Sequence, residues 1–117
     1  MATQRRPMPD RRNAPRVKIH LGCQFIHDGT EHEAFIKDIS PIGALLWSSF
    51  MPPPAADVFI KIETRLLKIP IVLQGKIIRR DCRNTDQGPV GAFAVQFNSG
   101  SPALMVLINK ITHPQIL

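Results

Sequence analysis

Three arginines stand close together just before the chain becomes apolar, in the stretch RRNAPR. Arg12 and Arg16 form an RxxxR pattern in it. Pro15 has a fixed φ and disfavours the helical region for Ala14, so the two arginines are expected on a stiff, extended approach to the first strand. A guanidinium group stays charged, pairs with phosphate through two parallel hydrogen bonds and stacks on flat rings. The stretch is therefore a candidate for binding an anionic ligand.

A second polar group follows in the stretch DISPIG. Asp38 and Ser40 are two residues apart and project to one side of a strand end, and Gly43 opens the next apolar run. A carboxylate accepts hydrogen bonds, a hydroxyl both donates and accepts, and glycine lets a ligand approach the backbone closely. These three residues are candidates for the same site.

Other chemistry finds little support in the sequence. The catalytic motifs GxSxG and HExxH and a complete P-loop are absent, so we expect a protein that is not an enzyme. Cys23 and Cys82 lack CxxC spacing, which predicts two reduced thiols. His27 and His32 lie near acidic residues, but a polar hairpin turn explains that cluster, so we expect no metal and no other cofactor. Trp47 is interpreted as a core residue or one at the end of a barrel.

The elements that must position these residues are mostly strands. Val17 to Phe25 alternates apolar and polar residues, Asp28-Gly29 supplies a two-residue turn, and residues 33–40 complete a hairpin. Four more strands are predicted, over residues 43–49, 57–63, 68–80 and 89–97.

The fifth strand and the C-terminus carry further signals. Gly75 is a candidate bulge, and residues 82–88 are predicted as a polar turn. Ser101 as N-cap, Pro102 as first helical residue and apolar residues at helical spacing predict a helix over about 101–112. The expected fold class is mostly β, a six-stranded antiparallel barrel with one C-terminal α-helix.

The net charge of +6 is concentrated at the N-terminus. Residues 1–18 hold six basic residues and one acid, a net +5, which leaves +1 for the other 99 residues. Residues 1–13 are predicted as a flexible basic tail and residues 14–117 as the folded domain. Without a basic stripe on the domain, we expect no nucleic acid polymer as a partner. Apolar runs are far shorter than the ~20 residues of a membrane span, and no secretory signal is visible, so we expect a cytoplasmic protein.

RxxxR before the first strand, followed across a hairpin by [D/N]xSxxG, resembles the PilZ domain, a bacterial receptor for the second messenger cyclic di-GMP. All five motif positions match, at Arg12, Arg16, Asp38, Ser40 and Gly43. The six-stranded barrel and C-terminal helix of that family match the predicted elements. GKIIRR and VGAFAVQF resemble its fifth and sixth strands.

The resemblance implies a cyclic di-GMP sensor that acts in motility or biofilm regulation. The arginines would pair with phosphates or the guanine O6/N7 edge, and Asp38 would accept from guanine N1 and N2. Arg11, which precedes RxxxR, implies a stacked pair of ligands, and Arg79 and Arg80 are further candidates. Ligand binding is expected to order the N-terminal tail and so create a surface that a downstream effector protein recognises.

Two alternatives remain. A PilZ-like adaptor for pilus or motility machinery would not bind nucleotide, but this chain retains the arginine and aspartate motifs that such members lack. An OB-like barrel for single-stranded nucleic acid would need exposed aromatic residues among basic ones. The six phenylalanines and one tryptophan lie mostly in apolar alternation, which indicates a core.

Overall fold

Six strands and one helix make up most of residues 16–113, the part of the chain that the computed structural model describes. In chain order the elements are β1 (Val17–His27), β2 (Thr30–Ser40), β3 (Gly43–Ser48), β4 (Asp57–Ile62), β5 (Ile71–Thr85), β6 (Gly88–Phe97) and α1 (Pro102–Thr112). All strand pairs are antiparallel, and the order β1-β2-β3-β6-β5-β4 closes into a barrel through the pairing of β4 with β1. The predicted six antiparallel strands and C-terminal helix are confirmed.

The β1–β2 hairpin forms at the predicted turn. Asp28 and Gly29 have φ values of 55° and 80°, and Thr30 pairs with His27 on either side of them. Two successive residues with positive φ twist the chain in the sense that flanking strands require, and aspartate and glycine are residue types that accept this conformation. The turn therefore sets the register of the hairpin.

Alternating residues from all six strands fill the barrel interior. Its largest fully buried side chains include Phe25, Phe93, Ile36 and Leu46. The rings of Phe25 and Phe93 meet edge to face with centroids 5.1 Å apart, an arrangement that aromatic pairs favour. Burial of these side chains supplies the main stabilisation of the fold.

α1 begins as predicted. The Ser101 hydroxyl accepts a hydrogen bond from the Leu104 N–H at 3.1 Å, and Pro102 is the first helical residue. Leu104 and Leu107 are buried in the same apolar cluster as the barrel interior. Within residues 16–113, α1 is the one helix, and its eleven residues are too few to cross a membrane.

β5 differs from the prediction at both ends. It begins at Ile71, directly after Pro70, and continues to Thr85, so most of the predicted polar turn is strand. Residues 79–85 pair with β6, and their own side chains are exposed or half-buried. A strand segment that buries none of its own side chains needs no apolar alternation, so the sequence pattern that predicts a strand is absent there.

The predicted bulge is also displaced. The register between β5 and β6 shifts between Ile77 and Arg79, so Ile78 is the extra residue. Gly75 instead lies where β5 crosses close to β6, since a Cβ there would be 2.6 Å from the Gln96 carbonyl oxygen. Both the predicted tail over residues 1–13 and the end of the chain after residue 113 lie outside the described residues.

Candidate ligand-binding site

Arg16 and Asp38 form the ion pair that defines the site. Arg16 Nη2 is 3.0 Å from Asp38 Oδ1 and 3.3 Å from Oδ2, and Arg16 Nε is 3.3 Å from Oδ1. The Asp38 side chain is 16% exposed and that of Arg16 46% exposed. The carboxylate is therefore largely covered, while the guanidinium group stays accessible from solvent.

The pairing of β1 with β2 places these two residues together. Arg16 directly precedes β1, and Asp38 lies opposite Lys18 near the beginning of that strand. A register shift between β2 and β3 makes Lys37 an extra residue beside Asp38. Bulges commonly redirect a neighbouring side chain. The two motifs, 22 residues apart in the chain, thus meet at one end of the hairpin.

Ser40 and Gly43 close the β2–β3 turn. The Ser40 hydroxyl accepts from the Ile42 N–H at 3.2 Å and lies 3.4 Å from the Gly43 carbonyl oxygen, to which it donates. A Cβ at Gly43 would be 2.5 Å from the Val95 carbonyl oxygen of β6. Gly43 is therefore required by the close approach of β3 and β6, in addition to any role toward a ligand.

An open cavity of about 340 Å³ adjoins the ion pair. Arg16, Ser40 and Gly43 line it together with residues that the motifs do not include: Ile42, Ala44, Ile78, Arg79, Ala94, Val95 and Gln96. The volume lies at the lower end of the range that small-molecule sites occupy in proteins. Three residues of the two motifs thus border one cavity, and Asp38 holds Arg16 at its side.

The remaining predicted residues divide into three cases. Arg79 lines both this cavity and a neighbouring one, whereas Arg80 lines only the neighbouring one. The assignment of Arg80 to the ligand-binding site stays a prediction. Arg11 and Arg12 lie outside the described residues.

Two apolar residues of the cavity were not predicted. Ile42 is 59% and Ile78 58% exposed, which is unusual for isoleucine. One signal was present for Ile78, because the adjacent Ile77 and Ile78 interrupt the period-two alternation of the strand. Ile42 lies inside the DISPIG stretch itself. Together they offer apolar surface beside two cationic side chains.

The cysteines differ in their surroundings. Cys23 is buried and Cys82 exposed, and both are free thiols, as predicted. Burial, with a smaller contribution from the nearby Glu33 carboxylate, raises the pKa of Cys23 to about 12. Cys23 is therefore an unreactive thiol at neutral pH.

The residues considered for other roles form aromatic contacts. The His32 and Phe50 rings stack with centroids 3.9 Å apart, and His27 lies 6.1 Å from Phe50. Within residues 16–113 no three His, Cys, Asp or Glu side chains are grouped to hold a metal ion. Trp47 lies on the outer side of β3, since Ala44, Leu46 and Ser48 face inward, and the Lys37 ammonium lies 4.6 Å from its ring centroid. This placement differs from the predicted core position and leaves the barrel-end alternative open, because Trp47 is the last but one residue of β3.

Solved structures share the fold at low sequence identity. The PilZ domain of YcgR from Escherichia coli, solved with c-di-GMP, is 14% identical, with a TM-score of 0.68 and coverage of 87% of this chain and 88% of that one. The K. pneumonia MrkH–c-di-GMP complex is 18% identical with a TM-score of 0.65, covering 94% and 54%. The Bacillus subtilis inhibitor of motility MotI/DgrA is 10% identical with a TM-score of 0.61, and the match covers 93% of this chain and 58% of that one. The chain thus spans little more than half of the last two.

Family membership rests on the sequence itself. No functionally curated protein has a sequence that matches this chain. The PilZ domain profile, however, matches residues 10–112, which include both motifs and every strand and helix described above. The chain belongs to the PilZ domain family.

Proposed function

We propose that this chain binds cyclic di-GMP at the cavity beside Arg16 and relays the ligand's level to an effector protein, without catalysing a reaction. The observation that carries the proposal is the Arg16–Asp38 ion pair next to a cavity lined by Ser40, Gly43 and Arg79. Membership of the PilZ family and the presence of c-di-GMP in two structures of the same fold support it.

Asp38 acts as the positioning residue for Arg16. Its carboxylate accepts from Nε and Nη2 of the guanidinium group, and Nη1 makes no hydrogen bond to any of residues 16–113. Arginine has five N–H donors, so this side-on pairing leaves the Nη1 donors free for a phosphate or the O6/N7 edge of guanine. A guanidinium group already held in place loses less conformational entropy when the ligand binds.

The cavity offers two further kinds of contact. Arg79 adds a second cation for the other phosphate or for stacking on a base, and both are interactions that arginine makes well. Exposed Ile42 and Ile78 would be covered by a purine ring, which removes their apolar surface from water. Charge and apolar area together suit a ligand with two phosphates and two flat bases.

Arg12 and Arg11 complete the proposal. Arg12 would supply a second guanidinium group from the segment before β1, and Arg11 would allow a second ligand to stack on the first. Both contacts draw residues 5–16 toward the barrel surface. The changed surface is then what an effector protein recognises, in the manner of a segment that orders on binding.

Titration calorimetry of the whole chain with cyclic di-GMP tests the site. Arg16→Ala removes charge-assisted hydrogen bonds worth roughly 1.5–3 kcal/mol each, so we expect affinity to fall at least about tenfold. Arg65→Ala, at an exposed position that does not line the cavity, is the matched control and should bind like the unchanged chain. Equally weak heat from the unchanged chain and from Arg16→Ala would exclude the proposed site.

Two further measurements separate the parts of the mechanism. Calorimetric stoichiometry should be two ligands per chain and one for Arg11→Ala, and a value of one for both would exclude the stacked pair. Amide hydrogen exchange of residues 5–16 should slow when cyclic di-GMP is added. Unchanged exchange there, with normal binding, would refute the ordering step while leaving the receptor function intact.

A further inference from the structure

The outer part of β5 has an edge that no strand of residues 16–113 covers. β4 pairs with β5 only as far as Asp57 opposite Lys76, and one more hydrogen bond joins the Ile77 N–H to the Ala56 carbonyl at 2.9 Å. From there to Thr85 the strand pairs with β6 alone among the elements of residues 16–113. Its other side presents backbone N–H and C=O groups that no strand of the barrel uses.

The strand's hydrogen-bond alternation identifies those groups. The Ile77 N–H points away from β6, toward Ala56, and directions alternate along an antiparallel strand. The one-residue bulge at Ile78 shifts the alternation by one. The backbone groups that point away from β6 beyond the bulge are therefore those of Arg80, Cys82 and Asn84.

Two independent contacts agree with this assignment. The Cys82 N–H donates to the Asp81 carboxylate at 2.8 Å, so its donor is engaged by a side chain. The residue opposite Asn84 in β6 is Pro89, which has no N–H and fits a pair without cross-strand hydrogen bonds. Asp81 thus occupies the place that a carbonyl oxygen of an added strand would take, and its other oxygen lies 3.3 Å from Arg83 Nη1.

A groove runs beside this edge. A cavity of about 720 Å³ lies between β5 and the segment that joins β3 to β4, with Met51, Pro54 and Ala55 on one side and residues 77–82 on the other. Neighbouring strands lie only about 4.8 Å apart, so the groove has room for one extended chain. Ile78 and Met51 provide apolar contacts for its side chains.

The charge of the outer part of β5 indicates which kind of chain binds at this edge. Residues 78–85 carry three arginines and one aspartate, a net +2. A second copy would bring the same charge to the edge, and residues 1–15 of this chain carry four arginines and one aspartate. Like charges on facing strands destabilise pairing. We propose that the edge from Arg80 to Asn84 binds, by strand addition, an extended segment of a partner protein that carries acidic side chains.

Nuclear magnetic resonance on the whole ¹⁵N-labelled chain tests the proposal with a synthetic peptide of about ten alternating Glu and Val residues. We expect amide shift changes centred on Arg80, Cys82 and Asn84, and at least tenfold weaker binding when Lys replaces each Glu. Absence of these shifts at peptide concentrations up to about 1 mM, or equal binding of both peptides, would overturn the proposal.

Variants of one residue distinguish strand addition from attraction by charge. Cys82→Pro removes the outward N–H at an edge position where proline is tolerated, while Cys82→Ala keeps it. We expect the first to weaken peptide binding at least tenfold and the second to leave it unchanged, and equal binding would overturn the proposal. If Cys82→Pro fails to fold, a peptide N-methylated at alternate residues replaces it, and undiminished binding of that peptide would contradict strand addition.

Charge reversal and self-association test the choice of occupant. Arg80→Glu should weaken binding of the acidic peptide, whereas Arg65→Glu, outside the groove, should not. In sedimentation, the unchanged chain should not self-associate through this edge. Self-association of the unchanged chain that is lost in Cys82→Pro would mean that the edge pairs two copies of this chain and that the acidic partner is the wrong occupant. Because Arg65 and Cys82 do not line the cyclic di-GMP cavity, the affinity for cyclic di-GMP should stay unchanged in Arg65→Glu and Cys82→Pro.

Discussion

The inner and outer segments of β5 behave as two different structures within one strand. The inner segment, Ile71–Ile77, alternates buried and exposed residues, and it pairs with β4 as far as Lys76 and with β6 from Gly75 onward. The outer segment, Ile78–Thr85, has no buried side chain and, among the strands of residues 16–113, pairs with β6 alone. Side chains of the inner segment are constrained by the core, whereas those of the outer segment are free to serve binding.

The bulge at Ile78 separates the two segments. It shifts the register by one residue, and beyond it Ile78 and Arg79 line both the cavity beside Arg16 and the groove, while Arg80 lines the groove alone. Bulges bend a strand and redirect its side chains, and they recur next to functional sites. A single extra residue thus marks the boundary between a segment that packs into the core and a segment whose side chains are exposed.

The largest expected change in the free energy of unfolding separates two neighbouring isoleucines, Ile77 and Ile78, which lie on either side of this boundary. Ile77 is 2% exposed, so Ile77→Ala leaves a cavity in the core and should lower the free energy of unfolding by about 2–5 kcal/mol. Ile78→Ala should change it by less than about 0.5 kcal/mol yet weaken cyclic di-GMP binding. Urea unfolding and calorimetry measure both. Equal destabilisation by the two substitutions would show that the boundary is wrongly placed.

Gly75→Ala tests how closely the inner segment of β5 approaches β6. Its Cβ would lie 2.6 Å from both the Gln96 carbonyl oxygen and Val95 Cγ1, so β5 and β6 must separate. We expect Gly75→Ala to cost about 1–3 kcal/mol of unfolding free energy in urea. At Gly22 the nearest atom to a Cβ is 3.8 Å away, and Gly22→Ala is the control, with a change near zero. Similar losses at both positions would contradict the close approach.

Cys23 is expected to make the stability of the fold depend on pH. The pKa of Cys23, in the same apolar cluster as the inner segment, is raised from 9.0 to about 12. Above pH 9 the unfolded chain releases this proton before the folded chain does, so stability falls as pH rises, by up to about 1.4 kcal/mol per pH unit. Cys23→Ala should lack this fall in urea unfolding between pH 8.5 and 10. A slope as steep as that of the unchanged chain would contradict the assignment.

The smallest effect is expected in the outer segment. The Arg83–Asp81 pair, at 3.3 Å with both side chains more than half exposed, is screened by water. Arg83→Ala should therefore change the free energy of unfolding by less than about 0.5 kcal/mol. A loss in urea unfolding comparable to that of Ile77→Ala would mean that the outer segment is part of the stability core after all.

Much of the fold follows from local sequence patterns. Asp28-Gly29 specifies a turn with positive φ, and the Ser101-Pro102 pair specifies the start of α1, because both depend on neighbouring residues only. The extension of β5 to Thr85 was not predictable in this way. Its residues are held by pairing with β6 on one side, and they bury no side chain that would impose a pattern on the sequence.

The candidate site divides similarly. The two motifs identified Arg16, Asp38, Ser40 and Gly43, and the structure brings these four together. Nothing local indicated that Ile42 and Ile78 would face a shared cavity, since that depends on how β5 and β6 pair beside the β2–β3 turn.

By itself, the sequence determined the order of the elements, the concentration of charge near the N-terminus and the residue types of the site, because periodicity, turn chemistry and spacing are local properties. Only the tertiary structure decided where β5 bends, which arginine meets which cavity and which backbone edge stays unpaired. Those outcomes depend on the register between strands distant in the chain, and a shift of one residue redirects every side chain beyond it.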